Sequence, residues 1–263
     1  MDLKTIINIL CDPYTKDSLE IVEIEHNTSL FNLKMDRFYP VRDSIPVFIK
    51  DEMLGLNEKY KDMYNRIAFL YDTYIKIMGF LFHKGWRASR GELVKNINNI
   101  KPGSKILEVS IGTGFNLLFL PRNAFYYGID ISWNMLKRCK KRAKRIKHDV
   151  WLALAEAEWL PFKDESFDVV YHIGGINFFN DKKKAIDEMI RVAKSGTKIV
   201  IVDETESHSK NIYKKTPLIK NYFKETRNEE FYIPLSFIPS TMLDIQIEYL
   251  WNNRFFCLSF IKP

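Results

Sequence analysis

A short apolar run that ends on an acid, turns through glycines and leads to a second strand ending on another acid limits what this chain can fold into. Residues 106–116 read ILEVSIGTGFN, and residues 126–132 read YYGIDIS. In an α/β protein such a pairing opens a ligand pocket at the carboxyl ends of adjacent strands. Gly112 and Gly114 carry no Cβ and can take positive φ, so the backbone there can press against a ligand. Asp130 falls at the tip of the second strand, where a carboxylate can accept both hydroxyl protons of a ribose.

The residues around the turn narrow the ligand. A triphosphate cradle requires Lys followed by Ser or Thr after its last glycine, and Phe115 and Asn116 stand there instead. A dinucleotide site requires a third small residue and a helix N-terminus free for pyrophosphate. Glu108, just before the turn, suits a ligand bearing a cation better than one bearing phosphates. S-adenosylmethionine, with an α-ammonium, a sulfonium and no phosphate, is such a ligand.

Residues 108–114, EVSIGTG, resemble motif I of class I S-adenosylmethionine-dependent methyltransferases, where an acid precedes three glycines at alternate positions. Ser110 stands at the first glycine and keeps a small side chain, so a mild adjustment of the turn is expected. Asp130, followed by Ile131, resembles the ribose-binding acid of motif II. Residues 155–171, AEAEWLPFKDESFDVVY, are similar to the family's third-strand exit and fourth strand. The resemblance implies that Glu156, at a position where the family more often has Asp, accepts the adenine amino proton. It also implies that the Ala157 N–H faces the adenine ring. These matches run from about residue 101 to the end of the sequence.

Element alternation agrees with that family's fold. Strands are expected over residues 104–109, 124–130, 149–154, 168–172 and 197–203, with helices after Thr113, from Trp133, and over residues 182–194. Such alternation argues a parallel sheet with helices on both faces. Residues 242–250 and 255–261 read as a hairpin around Trp251, Asn252, Asn253 and Arg254. The expected fold is α/β: a Rossmann-like seven-stranded methyltransferase sheet, mostly parallel, with a C-terminal antiparallel hairpin and a small N-terminal β-rich module.

That module is expected over residues 1–50, ahead of a methyltransferase domain over residues 51–263. A short helix at residues 2–10 leads into alternating segments at 19–25 and 29–35, then a run at 39–49 broken by Pro40 and Pro46. The words CDPYTKDSL and YPVRDSIPVF resemble the small zinc-ribbon-like family that includes the activator subunit of tRNA and protein methyltransferases. Only Cys11 remains of a metal knuckle, so the resemblance is to the zinc-free branch, no metal is expected, and a folding appendage or lid support is preferred over an RNA-binding role.

Residues 56–98 carry apolar positions at helical spacing, with a break near residues 82–85. The stretch YNRIAFLYDTYIKIMGFLFHKGWR, residues 64–87, resembles the N-terminal region of ubiquinone and menaquinone C-methyltransferases, the methyltransferase type 11 group. There, this helical lid closes over the cofactor and shapes the substrate pocket. The resemblance makes Tyr64, Tyr71 and Arg87 candidates for cofactor or substrate contact, while Ile67, Leu70, Ile75 and Met78 read as core. For Arg87 an ion pair to a carboxylate is an equal alternative.

The chemistry of such a site is in-line displacement at a methyl group activated by its sulfonium, which depends on positioning and exclusion of water. A phenol, thiol or acidic carbon as acceptor adds a need for a base. Tyr171, His172 and Asn177, at and just past the end of the fourth strand, are the candidate catalytic groups, with His172 as base or as a hydrogen-bonded structural residue. His83 and His208 are weaker candidates. Residues 204–240, with Tyr213, Tyr222, Phe223, Phe231 and Tyr232, form a variable lid expected to shape the acceptor pocket.

Charge and cysteine content set the remaining bounds. The net charge of +7 is concentrated in residues 137–147, which hold Lys137, Arg138, Lys140, Lys141, Arg142, Lys144, Arg145 and Lys147. A run like this is usually a solvated face, and contact with RNA or an anionic membrane stays open as an alternative. Cys11, Cys139 and Cys257 are isolated, which argues against a disulfide framework and for a reducing cytoplasm. The opening MDLKTIINILCD is unlike a secretory signal, and no segment is apolar for long enough to span a bilayer. The leading function is transfer of a methyl group from S-adenosylmethionine to a small, largely apolar or aromatic acceptor. The alternatives are an RNA or protein methyltransferase and a non-catalytic S-adenosylmethionine-binding protein.

Overall fold

The structure is a computed structural model that describes residues 1–49, 55–82, 85–97, 100–206, 208 and 232–263. The chain opens with a one-turn helix α1 (Leu3–Ile6) continued by a 3-10 turn (Ile7–Ile9), then β1 (Glu20–Ile24), β2 (Asn27–Asn32), β3 (Arg37–Arg42) and β4 (Ile45–Pro46). These strands form an antiparallel sheet in sequence order. Its tight turns are made by consecutive left-handed residues, Glu25 and His26 after β1 and Asp43 and Ser44 after β3. Pro40 lies inside β3, because a proline loses only its N–H and its carbonyl still accepts from Val47 N–H at 2.9 Å.

Next come α2 (Leu56–Phe82), at 27 residues the longest element described, and α3 (Trp86–Val94). A Cβ on Gly79 would lie 2.6 Å from the Trp86 Cα, so glycine permits α3 to fold back against α2. The second sheet contains β5 (Lys105–Val109), β6 (Phe125–Asp130), β7 (Val150–Leu154), β8 (Val169–Ile173), β9 (Lys198–Glu204), β10 (Leu243–Leu250) and β11 (Phe255–Ile261). Between its strands lie α4 (Trp133–Ile146) and α5 (Lys182–Val192). The strand order is β10-β11-β9-β8-β5-β6-β7, and β11 runs antiparallel to both neighbours, as the sequence leads one to expect.

The helix expected after Thr113 is not formed. A single 3-10 turn (Asn116–Phe119) stands there, and Pro121 closes the segment before a helix could propagate. The face left open is filled from elsewhere: Leu93, Val94 and Ile97 from α3 and the turn after it pack with Ile106, Leu117, Leu120 and Tyr126. Alternate residues of each strand serve opposite faces. Leu107, Tyr127, Val170 and Ile201 join one core, while Ile106, Tyr126, Tyr171 and Val200 join the other.

The N-terminal module has no core of its own. Leu10, Leu30, Tyr39 and Phe48 belong to the same cluster as Trp151, Phe162 and Phe167 beneath the large sheet. Backbone bonds seal the joint: Phe48 N–H to Leu154 O at 2.8 Å, Cys11 N–H to Pro161 O at 3.1 Å, and Lys163 N–H to Ile9 O at 2.8 Å. The module thereby covers the edge strand β7, which would otherwise present unpaired backbone groups.

Among the described residues no group of three or more His, Cys, Asp or Glu is placed to hold a metal ion. The centre of the module is instead Asp12, buried beside Cys11. Its carboxylate accepts from the backbone of Tyr14 at 2.8 Å and Thr15 at 3.1 Å, from Asn32 Nδ2 at 2.8 Å and from the Tyr39 hydroxyl at 2.7 Å. Burial alone would raise its pKa, and the bonds from Asn32, Tyr39, Tyr14 and Thr15 outweigh it and hold the carboxyl below its usual value. Replacing Asp12 by Ala strands those donors and should cost about 3 kcal/mol in urea unfolding at neutral pH. Because the folded pKa is depressed, this contribution is present above the usual carboxylate range and is lost as pH falls through the folded value. A variant with wild-type stability at pH 7 would show that the module is held some other way.

Candidate functional site

The carboxyl end of β5 enters a turn in which Ser110, Gly112 and Gly114 all take positive φ, at 60, 56 and 68°. Ser110 therefore keeps the left-handed conformation that glycine adopts freely, at a cost of about 1 kcal/mol. The glycines have different jobs. A Cβ on Gly112 would meet open space, whereas one on Gly114 would lie 2.6 Å from the Cys139 Sγ of α4. Gly112 leaves room for a ligand, and Gly114 lets α4 pack against the turn.

Two acids flank the turn. Glu108 is buried and accepts from the Tyr171 hydroxyl at 2.7 Å and from Asn116 Nδ2 at 2.5 Å. Burial pushes its carboxyl up to about 7, against the opposing pull of those bonds and of Arg90. Asp130, at the tip of β6, accepts from Gly112 N–H and Ser132 N–H, both at 2.8 Å, and burial pushes it up to about 6.

Helix α2 lies across the strand ends and is tied down at intervals of about two turns. Asn57 Nδ2 donates to Glu156 at 2.7 Å and to Glu158 at 3.2 Å. Asn65 Oδ1 accepts from the Ser132 hydroxyl at 2.8 Å and from Asn134 N–H at 3.1 Å, at the start of α4. Asp72 accepts from the Thr113 hydroxyl at 2.6 Å and pairs with the buried Arg142, which also donates to Thr113 O at 2.5 Å. Arg142 is thus withdrawn from the basic face of α4, while Lys137, Lys140, Lys141, Lys144, Arg145 and Lys147 point away from the core.

Beneath α2 are two adjoining cavities. The first, about 630 Å³ with its mouth, is lined by Glu108, Ser110, Gly112, Thr113, Asn116, Asp130, Ile131 and Met135, with Tyr60, Tyr64 and Tyr71 from α2. The second, about 1180 Å³ with its mouth, is largely apolar: Met63, Ile67, Leu70, Ile75, Met78, Trp251 and Phe255 line it, with Asp203, Glu204, Ser89 and His208 as polar points. Tyr64, Tyr71, Arg90, Ile173, Gly174, Gly175 and Phe178 line both. Gly174 and Gly175 take φ of 84 and 109°, so the floor where the cavities meet is bare backbone.

Of the expected cofactor residues, Glu108, Ser110, Gly112, Asp130, Ile131, Tyr64 and Tyr71 are brought together here. Gly114, Glu156, Ala157 and Arg87 do not line the cavity; Ala157 is buried, Glu156 is engaged by Asn57, and Arg87 is exposed with its guanidinium 4.8 Å from the Trp86 ring centroid. Tyr171 and His172, expected as candidate catalytic groups, line neither of these two cavities. Tyr171 points into the core under Glu108. His172 is fully buried on the opposite face, with Nδ1 2.9 Å from Val109 O and its ring 5.1 Å from Phe179. Burial lowers its pKa, with Asp203 opposing. Asn177 is also buried, its backbone N–H and Nδ2 donating to Asp203 at 3.3 and 3.4 Å. Ile67, Leu70, Ile75 and Met78, read as core, line the second cavity instead. His208 lines that cavity, while His83 and the lid residues Tyr213, Tyr222, Phe223 and Phe231 lie outside the described residues.

The sequence reading missed Arg90, Thr113, Asn116, Asp203 and the glycine pair. Two of these carried a signal: Asp203 ends a strand on an acid as Asp130 does, and adjacent glycines after a strand mark an open floor. S-adenosylmethionine fits this donor set, since two buried carboxylates with raised pKa lie beside a cradle that Gly112 leaves empty.

Residues 53–226 match the model of the ubiE/COQ5 methyltransferase family. The ubiquinone/menaquinone biosynthesis C-methyltransferase of Wigglesworthia glossinidia brevipalpis is 30% identical over 153 residues, covering 56% of this chain and 60% of that protein. A demethylmenaquinone methyltransferase of Bacillus mycoides is 30% identical over 57% of this chain and 63% of its own length. That of Staphylococcus saprophyticus is 33% identical over 171 residues, 64% of this chain and 70% of its own length. The chain thus spans less than two thirds of the Wigglesworthia and Bacillus relatives. Among solved structures, Haemonchus contortus phosphoethanolamine N-methyltransferase 2 with S-adenosylhomocysteine has a TM-score of 0.58 at 18% identity, over 78% of this chain and 60% of that one. A methyltransferase from Aquifex aeolicus has a TM-score of 0.52 at 16% identity, over 80% of this chain and all (100%) of that one. These likenesses show the fold.

The raised carboxyl of Glu108 makes stability depend on pH. A carboxyl whose folded pKa lies above its unfolded value stabilises the fold below the usual carboxylate range, and that contribution is lost as pH rises toward 7. For a shift from 4.5 to about 7 the loss is on the order of 3 kcal/mol. Urea unfolding of the ligand-free chain should therefore weaken between pH 5 and 8, and Glu108→Gln should flatten that slope; an unchanged slope in the variant would place the titration elsewhere.

Proposed function

The chain belongs to the ubiE/COQ5 methyltransferase family, and from that premise we propose that it transfers the methyl group of S-adenosylmethionine to a small, largely apolar aromatic acceptor of quinol type. One observation carries the reading. A cavity with paired carboxylates and a glycine turn meets a larger apolar cavity across Gly174 and Gly175. Pockets for small ligands are mostly apolar with a few placed polar groups, which describes the second cavity. The names of the relatives from Wigglesworthia, Bacillus and Staphylococcus support a quinone-type acceptor.

When bound, S-adenosylmethionine supplies an electrophilic methyl on a sulfonium leaving group. Asp130 would hold the ribose hydroxyls and Glu108 the cationic end, while Tyr64 and Tyr71 close the site from above. Water exclusion falls to the apolar side chains of α2, so attack proceeds in a site of low dielectric. The acid–base position falls to Asp203 rather than His172, because Asp203 lines the acceptor cavity and His172 stands behind it. Burial raises Asp203, with His172 opposing, so its carboxylate takes a proton more readily than an exposed one. Asn177 orients it.

Transfer to RNA finds less support, since none of the outward-pointing basic side chains of α4 lines either cavity. The test is binding and transfer together. Asp130→Ala should weaken S-adenosylhomocysteine binding at least about tenfold by calorimetry, since charge-assisted hydrogen bonds contribute about 1.5–3 kcal/mol each. Asp203→Asn should leave that affinity intact and lower methyl transfer to a reduced naphthoquinol by about 100-fold or more. Cofactor binding with no transfer across a panel of quinols would leave the non-catalytic reading standing.

A further inference from the structure

We propose that Arg90 is the anchor for the α-carboxylate of the cofactor's methionyl end, a role that rests on the first cavity being the S-adenosylmethionine site. Arg90 lines both cavities, and it is the one cationic side chain among the described residues lining the first. Its Nε is buried without a hydrogen-bond partner, and no ion pair is formed by its guanidinium among the described residues. Arg90 itself is half-buried, so its guanidinium is open to the cavity and its buried Nε is a donor that an incoming anion would satisfy. Phe115, in the turn, lies below it, with the ring centroid 5.9 Å from the guanidinium carbon.

Position selects which anion. Arg90 is close enough to Glu108 to lower that carboxyl's pKa, so a cation and an anion site stand side by side above the turn. An amino acid presents that pair of charges in reverse, with its ammonium toward Glu108 and its carboxylate toward Arg90. A planar fork of donors matches a carboxylate with two parallel bonds. The helix carrying Arg90 is held in place from two sides, since Trp251 Nε1 donates to Ser89 O at 3.1 Å and Trp86 packs edge-on against Phe115 at 5.4 Å. An anionic acceptor entering from the second cavity could claim the same guanidinium, and the experiment separates the two.

Calorimetry on the full chain should compare S-adenosylhomocysteine with 5′-methylthioadenosine, which keeps the adenosine thioether and lacks the amino acid. Arg90→Ala should weaken S-adenosylhomocysteine about 10- to 100-fold and leave 5′-methylthioadenosine unchanged, with Arg90→Lys recovering part of the loss. A control free of any folding defect uses the wild-type chain, which should lose a similar factor when decarboxylated S-adenosylhomocysteine replaces the parent compound. Equal losses for both ligands in Arg90→Ala, or no loss for the decarboxylated compound, would overturn the assignment. So would unchanged S-adenosylhomocysteine affinity with a raised KM for the quinol, which gives Arg90 to the acceptor. Failure of the wild-type chain to bind either adenosine ligand would instead remove the cofactor site itself.

Discussion

The buried pairing of Asp72 on α2 with Arg142 on α4, closed through Thr113 in the glycine turn, is the interaction on which the site depends. Arg142 is almost wholly buried, and burial pulls its pKa down against the attraction of Asp72. Removing one partner of such a pair leaves a desolvated charge at a cost of about 3–5 kcal/mol, more than replacing both by apolar groups. The pair therefore contributes register more than raw stability. It fixes which turn of a long helix lies over the glycine loop, and so sets where Tyr64 and Tyr71 stand above the cavities. Asn65 and Asn57 repeat the tie at Ser132 and at Glu156 and Glu158.

A second constraint is electrostatic. Glu108, Asp130 and Asp203 are buried at the strand ends, and burial raises all three carboxyls. Carboxylates cost free energy to bury ionised, so burial shifts each of these groups toward its protonated form. Bringing a cation beside Glu108 reverses that penalty. In the proposed cofactor site the same acids that weaken the empty fold would therefore strengthen binding.

Most of the sheet was legible because its signals are local. The strands alternate or run apolar between turn residues, Asp130 marks a strand tip, and the final hairpin announces itself in Trp251, Asn252 and Asn253, all left-handed. What escaped depends on distance in sequence. Arg142 looks like any member of a basic run until Asp72, seventy positions earlier, is brought to it. Arg87 and Arg90 are about a turn apart, yet Arg90 lines the cavity while Arg87 lies exposed over the Trp86 ring. Along β8, alternation sends Tyr171 and His172 to opposite faces, so neither reaches the ligand side. The N-terminal module reads as separate because its turns are local, yet its core is completed only by Trp151, Phe162 and Phe167.

The floor shared by the two cavities shows why methyl transfer is suited to this place. Gly174 and Gly175 follow β8 with positive φ, and a Cβ on Gly175 would stand 3.9 Å from the Tyr64 hydroxyl and 3.8 Å from Phe178. Side chains there would be strained in backbone conformation and would narrow the passage between the cavities. In-line displacement requires donor and acceptor atoms near van der Waals contact, with nothing between them. A bare backbone floor beneath Tyr64 and Tyr71 would leave that line of approach clear for the proposed cofactor and acceptor.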